Sequence, residues 1–450
     1  MFLLLFKNFI SSRSVIIGMV ILLTAGAVSF YIGNRHLQKQ QAAIEATVRF
    51  QHEHIERNVR FLDKDMGLLL YYLRFAYVNE ASPLNALSIG QRDVSNNIQF
   101  VTIRNLEGQK YDTDLFNPSN LLAGNLDFGF VLIYLFPLFI ISVTYNLLSE
   151  EKENGTWKLV SVQSTGPVAV LLQKLGIRVV ILFGMLAVLL LSAGVVLSVP
   201  FNAAFAATAV LAFLYTAFWF AVCFWVVSWQ KPSSNSAVSL LSIWVLLTIV
   251  VPGVVNNYII NRYPVPEALA TAVANREGYH EKWDMDKGIT MQKFYRHYPQ
   301  FKNYPVPQKQ SSWLWYYAMQ QMGDDDARQQ SAGIKQKLQL RGRVSNQIAV
   351  FFPPLHAQLQ LNALSGAGLD NQLRFLDSTE QFHERKRLYF YPRIFEEGPV
   401  EKVNWKGFGA EYFIESKPVN WIALCLPLLL ITTVPGFLCI LNFSNRKGVV

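Results

Sequence analysis

Glu150, Glu151, Lys152 and Glu153 break into a chain that carries no Asp, Glu, Lys or Arg from Phe128 to Thr144. Asn154, Gly155, Thr156, Trp157, Lys158 and Leu159 follow, and the chain then turns apolar again. Carboxylates so placed can accept charge-assisted hydrogen bonds from Arg or Lys on another polypeptide. Gly155 can end a helix with positive φ, and Thr156 has the side chain of a helix N-cap. The pattern predicts a short helix along a membrane surface. Trp157, Leu159 and Val160 would lie on its buried face, with Glu150, Glu151 and Glu153 turned to water and free to pair with a partner. A solvated charged turn between two membrane helices would use the same residues.

Other chemistry-bearing residues make weaker patterns. His52, His54 and Glu56 invite a metal reading, but on a helix the two histidines point about 200° apart, so only one shares a face with Glu56. Asp324, Asp325 and Asp326 read as a solvated, helix-breaking turn rather than a cation site. Cys223, Cys425 and Cys439 sit in apolar runs without CxxC spacing, which predicts buried thiols and neither a disulfide framework nor a zinc site. No G-x-x-x-x-G-K-[ST] occurs in the sequence, so no P-loop cradles ATP phosphates in this chain. No paired carboxylates or Ser-His-Asp set stands out, and enzymatic activity is not expected.

The elements that must position these residues are membrane helices. Only 16% of the 450 residues are charged and 52% are hydrophobic, against about 25% charged in soluble chains. The net charge of +9 suits an anionic lipid surface as well as nucleic acid; in a membrane protein it reads as anchoring cations, with no nucleic-acid partner. A bilayer core about 30 Å thick needs roughly 20 apolar residues as helix. The fold class predicted is an all-α integral membrane protein, six transmembrane helices with two large, mainly helical extracytoplasmic insertions. Spans are expected over 14–33, 127–147, 176–199, 203–228, 237–256 and 420–443. An interfacial helix would occupy 1–13, a charged connection 148–175, the insertions 34–126 and 257–419, and a tail 444–450. The first apolar run, after Lys7 and Arg13, is too long for a cleavable signal and reads as a retained span.

Short-loop cations set the sides. Lys7, Arg13, Lys152, Lys158, Lys174, Arg178, Lys231, Arg446 and Lys447 fall in one set of segments, while the tight turn at Pro200–Asn202 has none. Both termini and the Glu150–Lys174 connection are therefore expected in the cytoplasm. Gln38–Tyr77 has helical periodicity that could extend the first span outward. The stretch NNIQFVTIRNLEGQKYDTD alternates and turns at Glu107-Gly108, as a hairpin would. Residues 312–351 read as one long helix or two, LHAQLQLNAL as a helix closed by Ser365-Gly366, and LDNQLRFLDSTEQFHERKRLYFY as another. The spans hold almost no ionisable group; Lys174 and Arg178, at the inner end of span three, can snorkel. That counts against a proton-coupled transporter. Ser192, Ser198, Thr208, Thr216 and Ser228 read as helix-packing contacts, and the aromatics Phe213, Tyr215, Phe218, Trp219, Phe220 and Trp225 as facing lipid or packing rather than a lipid-like substrate.

Glu151-Lys152-Glu153-Asn154-Gly155-Thr156-Trp157-Lys158-Leu159 resembles the Glu-Arg-Glu-x-Gly-Thr-Leu-Lys-Leu signature of type-2 ABC transporter permeases, which lies between spans two and three. Lys152 for Arg and Trp157 for Leu are mild departures. Pro353/Pro354, Gln358 or Gln360, Asn362-Ala363-Leu364, Gly366, Phe375 and Arg385/Arg387 are similar to a permease subgroup with large extracytoplasmic loops after spans one and five. The resemblance implies a bacterial inner-membrane permease with no cofactor of its own. A separate nucleotide-binding ATPase subunit would hold ATP and Mg and dock on Glu150–Leu159 as the coupling helix. A second permease subunit, identical or similar, would complete the complex. The implied function is ATP-driven export of a hydrophobic or amphipathic solute. The alternative is a transducer that translocates nothing and moves a periplasmic protein through its outer loops.

Overall fold

A computed structural model describes residues 2–110, 125–157, 167–265, 283, 285–307, 312–415 and 418–445. The elements in chain order are α1 (Phe2–Ser11), α2 (Arg13–Phe61), α3 (Met66–Tyr72), β1 (Phe75–Asn79), β2 (Ile98–Val101), α4 (Glu107–Lys110) and α5 (Phe128–Glu153). Then come α6 (Pro167–Val196), α7 (Ala203–Val227), α8 (Ser233–Arg262), α9 (Lys287–His297), α10 (Trp313–Ala349), α11 (Pro353–Leu364), α12 (Leu369–Phe395), β3 (Glu411–Phe413) and α13 (Trp421–Asn445). Six of these helices, α2, α5, α6, α7, α8 and α13, are long and apolar enough to cross a membrane. The chain is an all-α, multi-pass membrane protein. Its two faces differ in what they carry: an insertion side has the two long connections and the tight α6–α7 turn, and a turn side has the α5–α6 and α7–α8 connections.

Helix α7 is the centre of the span bundle. Tyr215, Phe218, Trp219 and Phe220 are buried among neighbouring helices rather than turned to lipid, and only Phe213 and Trp225 are half-buried. A π-turn at Val131–Leu135 interrupts α5, and the Tyr215 hydroxyl donates to the Ile133 carbonyl in that turn at 2.9 Å. A π-turn shifts the backbone ladder by one residue and leaves a carbonyl in need of a donor. Thr208 and Thr216 donate to carbonyls four residues back in their own helix, and Ser192 and Ser228 to carbonyls three back. They satisfy themselves where no water reaches. The three cysteines are free thiols; Cys223 and Cys439 are buried and Cys425 is half-buried.

The two insertions fold into one unit. Strand β1, from the first, pairs antiparallel with β2, Phe75 opposite Val101. It also pairs parallel with β3, from the end of the second, Tyr77 opposite Glu411. Ile98–Val101 of the alternating stretch is thus a strand paired with β1, and residues 111–114, the far arm of the expected hairpin, lie outside the described residues. Glu107-Gly108 opens α4 instead of a turn. A common core holds Leu69, Phe75 and Tyr77 from the first insertion with Phe294, Tyr317, Phe382 and Phe390 from the second. Tyr77 stacks on Phe382 with centroids 4.6 Å apart.

Asp324-Asp325-Asp326 is not a helix-breaking turn. All three lie inside α10. Asp324 is buried, accepts from the Leu106 and Glu107 backbone N–H groups at 3.0 Å each, and pairs with Arg387 at 2.7 Å. Arg387 also donates to the carbonyls of Ile103 and Arg104. A buried carboxylate with a guanidinium partner and two amide donors tolerates a helical backbone that three consecutive aspartates would otherwise disfavour.

Helix α2 joins the unit to the bundle. Over 49 residues it rises about 73 Å at 1.5 Å per residue. Leu22 and Phe30 belong to the bundle core, and Ile55 to the insertion core. At Gln51 the side chain accepts from Ala76 N at 2.6 Å and donates to the carbonyls of Gly409 and Phe408. Helix α11 is the second joint: its Ala357 and Leu361 sit in the bundle core, while Asn362 accepts from Ser88 of the first insertion at 2.9 Å.

Candidate functional site

The acidic stretch forms the last turn of α5, Ser149–Glu153. It stands at the turn side, just past the apolar run, because four residues with charged side chains cannot continue into hydrocarbon. Asn154 caps it, and Gly155 follows with φ +74°. Gly155 is exposed, and among the described residues nothing lies within 4 Å of where a Cβ would be. Glycine is needed there for its backbone alone, as the sequence anticipates.

Three of the four charged residues reach other helices or their connections. Lys174 of α6 donates to Glu151 at 2.6 Å, and the ammonium is largely enclosed. The Ser233 backbone N–H and hydroxyl both donate to Glu153, at 2.8 Å each. Since the Ser233 proton goes to Glu153, its 2.7 Å contact with Ser149 is donated by Ser149. Glu153 thereby puts negative charge at the N-terminus of α8, where the helix dipole favours it. Lys152 donates to Gln230 at 2.9 Å, in the turn between α7 and α8, and lies over the Trp157 ring at 5.8 Å. Glu150 is exposed and accepts from Asn146 at 3.1 Å.

This differs from the expectation that all three acids are free for a partner. Glu151 and Glu153 hold partners in other helices, although Glu153 stays exposed, and Glu150 is exposed with its contact in its own helix. The Thr156 hydroxyl donates back to the carboxylate and carbonyl of Glu151, and the backbone N–H groups that it would cap lie outside the described residues. Trp157 packs beside Leu147, Leu148, Leu171 and Val227, a small apolar cluster at the turn side, with Phe443 of α13 at its edge. Lys158 and Leu159, with Val160, lie outside the described residues.

Arg178 completes the junction, though it does not snorkel freely. Its guanidinium donates to the Val143 carbonyl of α5 at 2.5 Å and to Lys174 O at 2.9 Å, and lies 4.9 Å from the Phe9 ring centroid of α1. Together these groups make a clamp: the Ser149–Glu153 turn is joined to α6 through the Glu151–Lys174 pair and to α8 through Glu153 and Ser233. Sequence reading does not find Gln230 and Ser233; only the Pro232-Ser233 helix start hints at a docking point.

The His52–Glu56 stretch is not assembled into a site. His54 faces α3, within 3.3 Å of Tyr72 O and Arg74 N, and His52 and Glu56 are exposed. Among the described residues no group of three or more His, Cys, Asp or Glu is poised around a metal position.

Residues 268–410, 143 of the 450, match a family model described as a domain of unknown function, DUF3526. The match falls wholly within the second insertion and takes in α9 to α12. No curated protein and no solved structure matches the chain.

Proposed function

We propose that this chain is the permease subunit of an ATP-driven ABC exporter in a bacterial inner membrane. Its turn side and both termini face the cytoplasm, and a separate nucleotide-binding subunit docks on Glu150–Leu159 and carries the ATP and Mg. A second permease subunit completes the complex, and a hydrophobic or amphipathic solute leaves along their interface. The observation that carries this reading is the turn-side clamp. A short turn with the family-like Glu-Lys-Glu-x-Gly-Thr order touches the ends of α6 and α8 and the α7–α8 connection, so that motion of one small surface is shared by most of the bundle. Short-loop cations cluster at the same side, which supports its cytoplasmic placement.

A second reading, the non-transporting transducer, gains from a different observation. Both insertions form one body, and α2 runs unbroken from the bundle into its core. Such a body can be moved as a whole against a periplasmic protein.

Purified complex with its ATPase subunit separates these readings. Glu150→Lys reverses an exposed charge and leaves the Glu151–Lys174 pair and the Glu153–Ser233 contacts in place, with the thermal midpoint as a check on its effect near Arg178. Loss of ATPase co-purification is expected, and unchanged co-purification and hydrolysis would remove the docking role. Gln51→Ala loosens the insertion unit from α2. An exporter keeps ATP-dependent solute flux in this variant, whereas a transducer loses its action.

A further inference from the structure

A cavity of about 410 Å³ opens between the insertion-side ends of α8 and α13 and under α10, α11 and α12. Small-molecule sites span about 300–1,000 Å³. Its position is set by Asn256 and Ile260 near the end of one span and by Asn420 and Leu424 at the start of another. That is the level where a bilayer passes from headgroups to acyl chains.

The walls are divided in the same sense. Ile259, Ile260, Leu364 and Leu424 give an apolar side, and Gln91, Asn256, Asn346, Gln360 and Asn420 supply amides. Two guanidinium groups, Arg341 and Arg374, and one carboxylate, Asp370, also line it. The Arg341 Nε donates to the Tyr263 carbonyl at 2.7 Å, which holds the group at the cavity wall. Arg374 pairs with Glu415, and with Asp370 at 3.9 Å, yet its Nε is enclosed and has no acceptor among the described residues. Helix α11 explains the motif-like run Gln360–Gly366: Ala357 and Leu361 go into the bundle core, and Gln360, Ala363 and Leu364 line the cavity.

We infer that this cavity binds one phosphate-bearing amphipath, its phosphate held by Arg341 and Arg374 and its acyl chain along Ile259, Ile260 and Leu424. Guanidinium forks match phosphate oxygens in pairs. The site does not depend on which engine drives the chain. Its occupant is either a phospholipid of the bilayer or a lipid-linked cargo, which share this chemistry.

The full chain in detergent, with fluorescent lysophosphatidylglycerol as the probe and an uncharged monoacylglycerol carrying the same label as the control, tests the assignment. Gly342 lines the cavity, and an added Cβ meets Leu369 at 3.7 Å and Asp370 at 4.0 Å, so a larger side chain enters the void without a backbone clash. Gly342→Leu is expected to weaken probe binding at least tenfold, and Arg341→Gln to reduce the preference for the phosphate probe at least fivefold. Ser345→Leu is read in its place if Gly342→Leu lowers the thermal midpoint. Native mass spectrometry of untreated protein distinguishes the sources, a free phospholipid mass from a larger conjugate. Wild-type probe affinity in a folded cavity-filling variant, or equal affinity of wild-type protein for the two probes, would overturn the inference.

Discussion

At Ser233 a single carboxylate, Glu153, receives both the backbone N–H and the hydroxyl, and the order of charges in the turn acquires a reason. Glu151 and Glu153, two residues apart, reach opposite neighbours, α6 and α8. Gly155 shows how a residue role can be read from sequence alone: only an αL residue could end the turn, and Gly155 has φ +74°. Because no atom among the described residues lies near its absent Cβ, Gly155→Val should cost about 1–2 kcal/mol from backbone strain alone. A thermal midpoint in detergent checks this, and Gly155→Asn should recover part of the loss, since Asn tolerates αL. The partners of Glu151 and Glu153 were not legible, because they lie 23 and 80 residues along the chain. The three aspartates of α10 misled for the same reason: their helix is sustained by Arg387, 63 positions after Asp324 in the numbering. In that buried network His383 contacts the carbonyls of Thr102 and Arg104. Burial, and then the Arg387 charge, holds its pKa well below 6.5. The unfolded chain gains a proton below pH 6.5 that the folded chain refuses. Stability from this group is therefore present above that pH and lost as pH falls, by about 1.4 kcal/mol per pH unit. Thermal midpoints measured from pH 7.5 to 5.5 should show the decline, and His383→Gln should flatten it.

Among elements, α2 was the most legible, since its apolar run continues into helical periodicity, although the helix ends at Phe61 rather than Tyr77, with Met66–Tyr72 a separate helix and Phe75–Tyr77 in β1. What the periodicity concealed is how closely another segment approaches it. A Cβ on Gly33 would lie 2.0 Å from the backbone carbonyl oxygen of Ala86, in the short 3₁₀ turn Pro83–Ala86. Backbone cannot move aside as a side-chain tip can. Gly33→Ala should therefore destabilise by about 1–3 kcal/mol and loosen the first insertion, read as faster amide exchange over residues 83–92. Gly176→Ala, where the added methyl meets nothing within 4 Å, is the control and should leave exchange unchanged. Strand pairing was the least legible feature. Strand β2 has the alternation of a hairpin arm, but β1 precedes it by some 20 residues and β3 comes about 310 later. Periodicity names a strand and is silent about its neighbour.

For the whole molecule, hydropathy was enough to count the spans, because the cost of burying backbone and charge in hydrocarbon leaves few alternatives. That the two insertions make a single body was not visible: its core mixes residues from both, and Gln51 reaches Phe408 across 357 positions. The result is a molecule with a turn-side clamp and an insertion-side body joined by a continuous helix and by α11. Its central claim is that the clamp lies in the cytoplasm and receives force from an ATPase subunit. The direct measurement is a single cysteine at Asn154, which is exposed at the tip of the turn. The three native cysteines would be replaced by alanine, and the protein labelled in intact cells and in inside-out vesicles with a membrane-impermeant maleimide. The account predicts labelling in inside-out vesicles, none in intact cells, and protection when the ATPase subunit is co-expressed. Labelling of intact cells would place the clamp on the far side from ATP and contradict it.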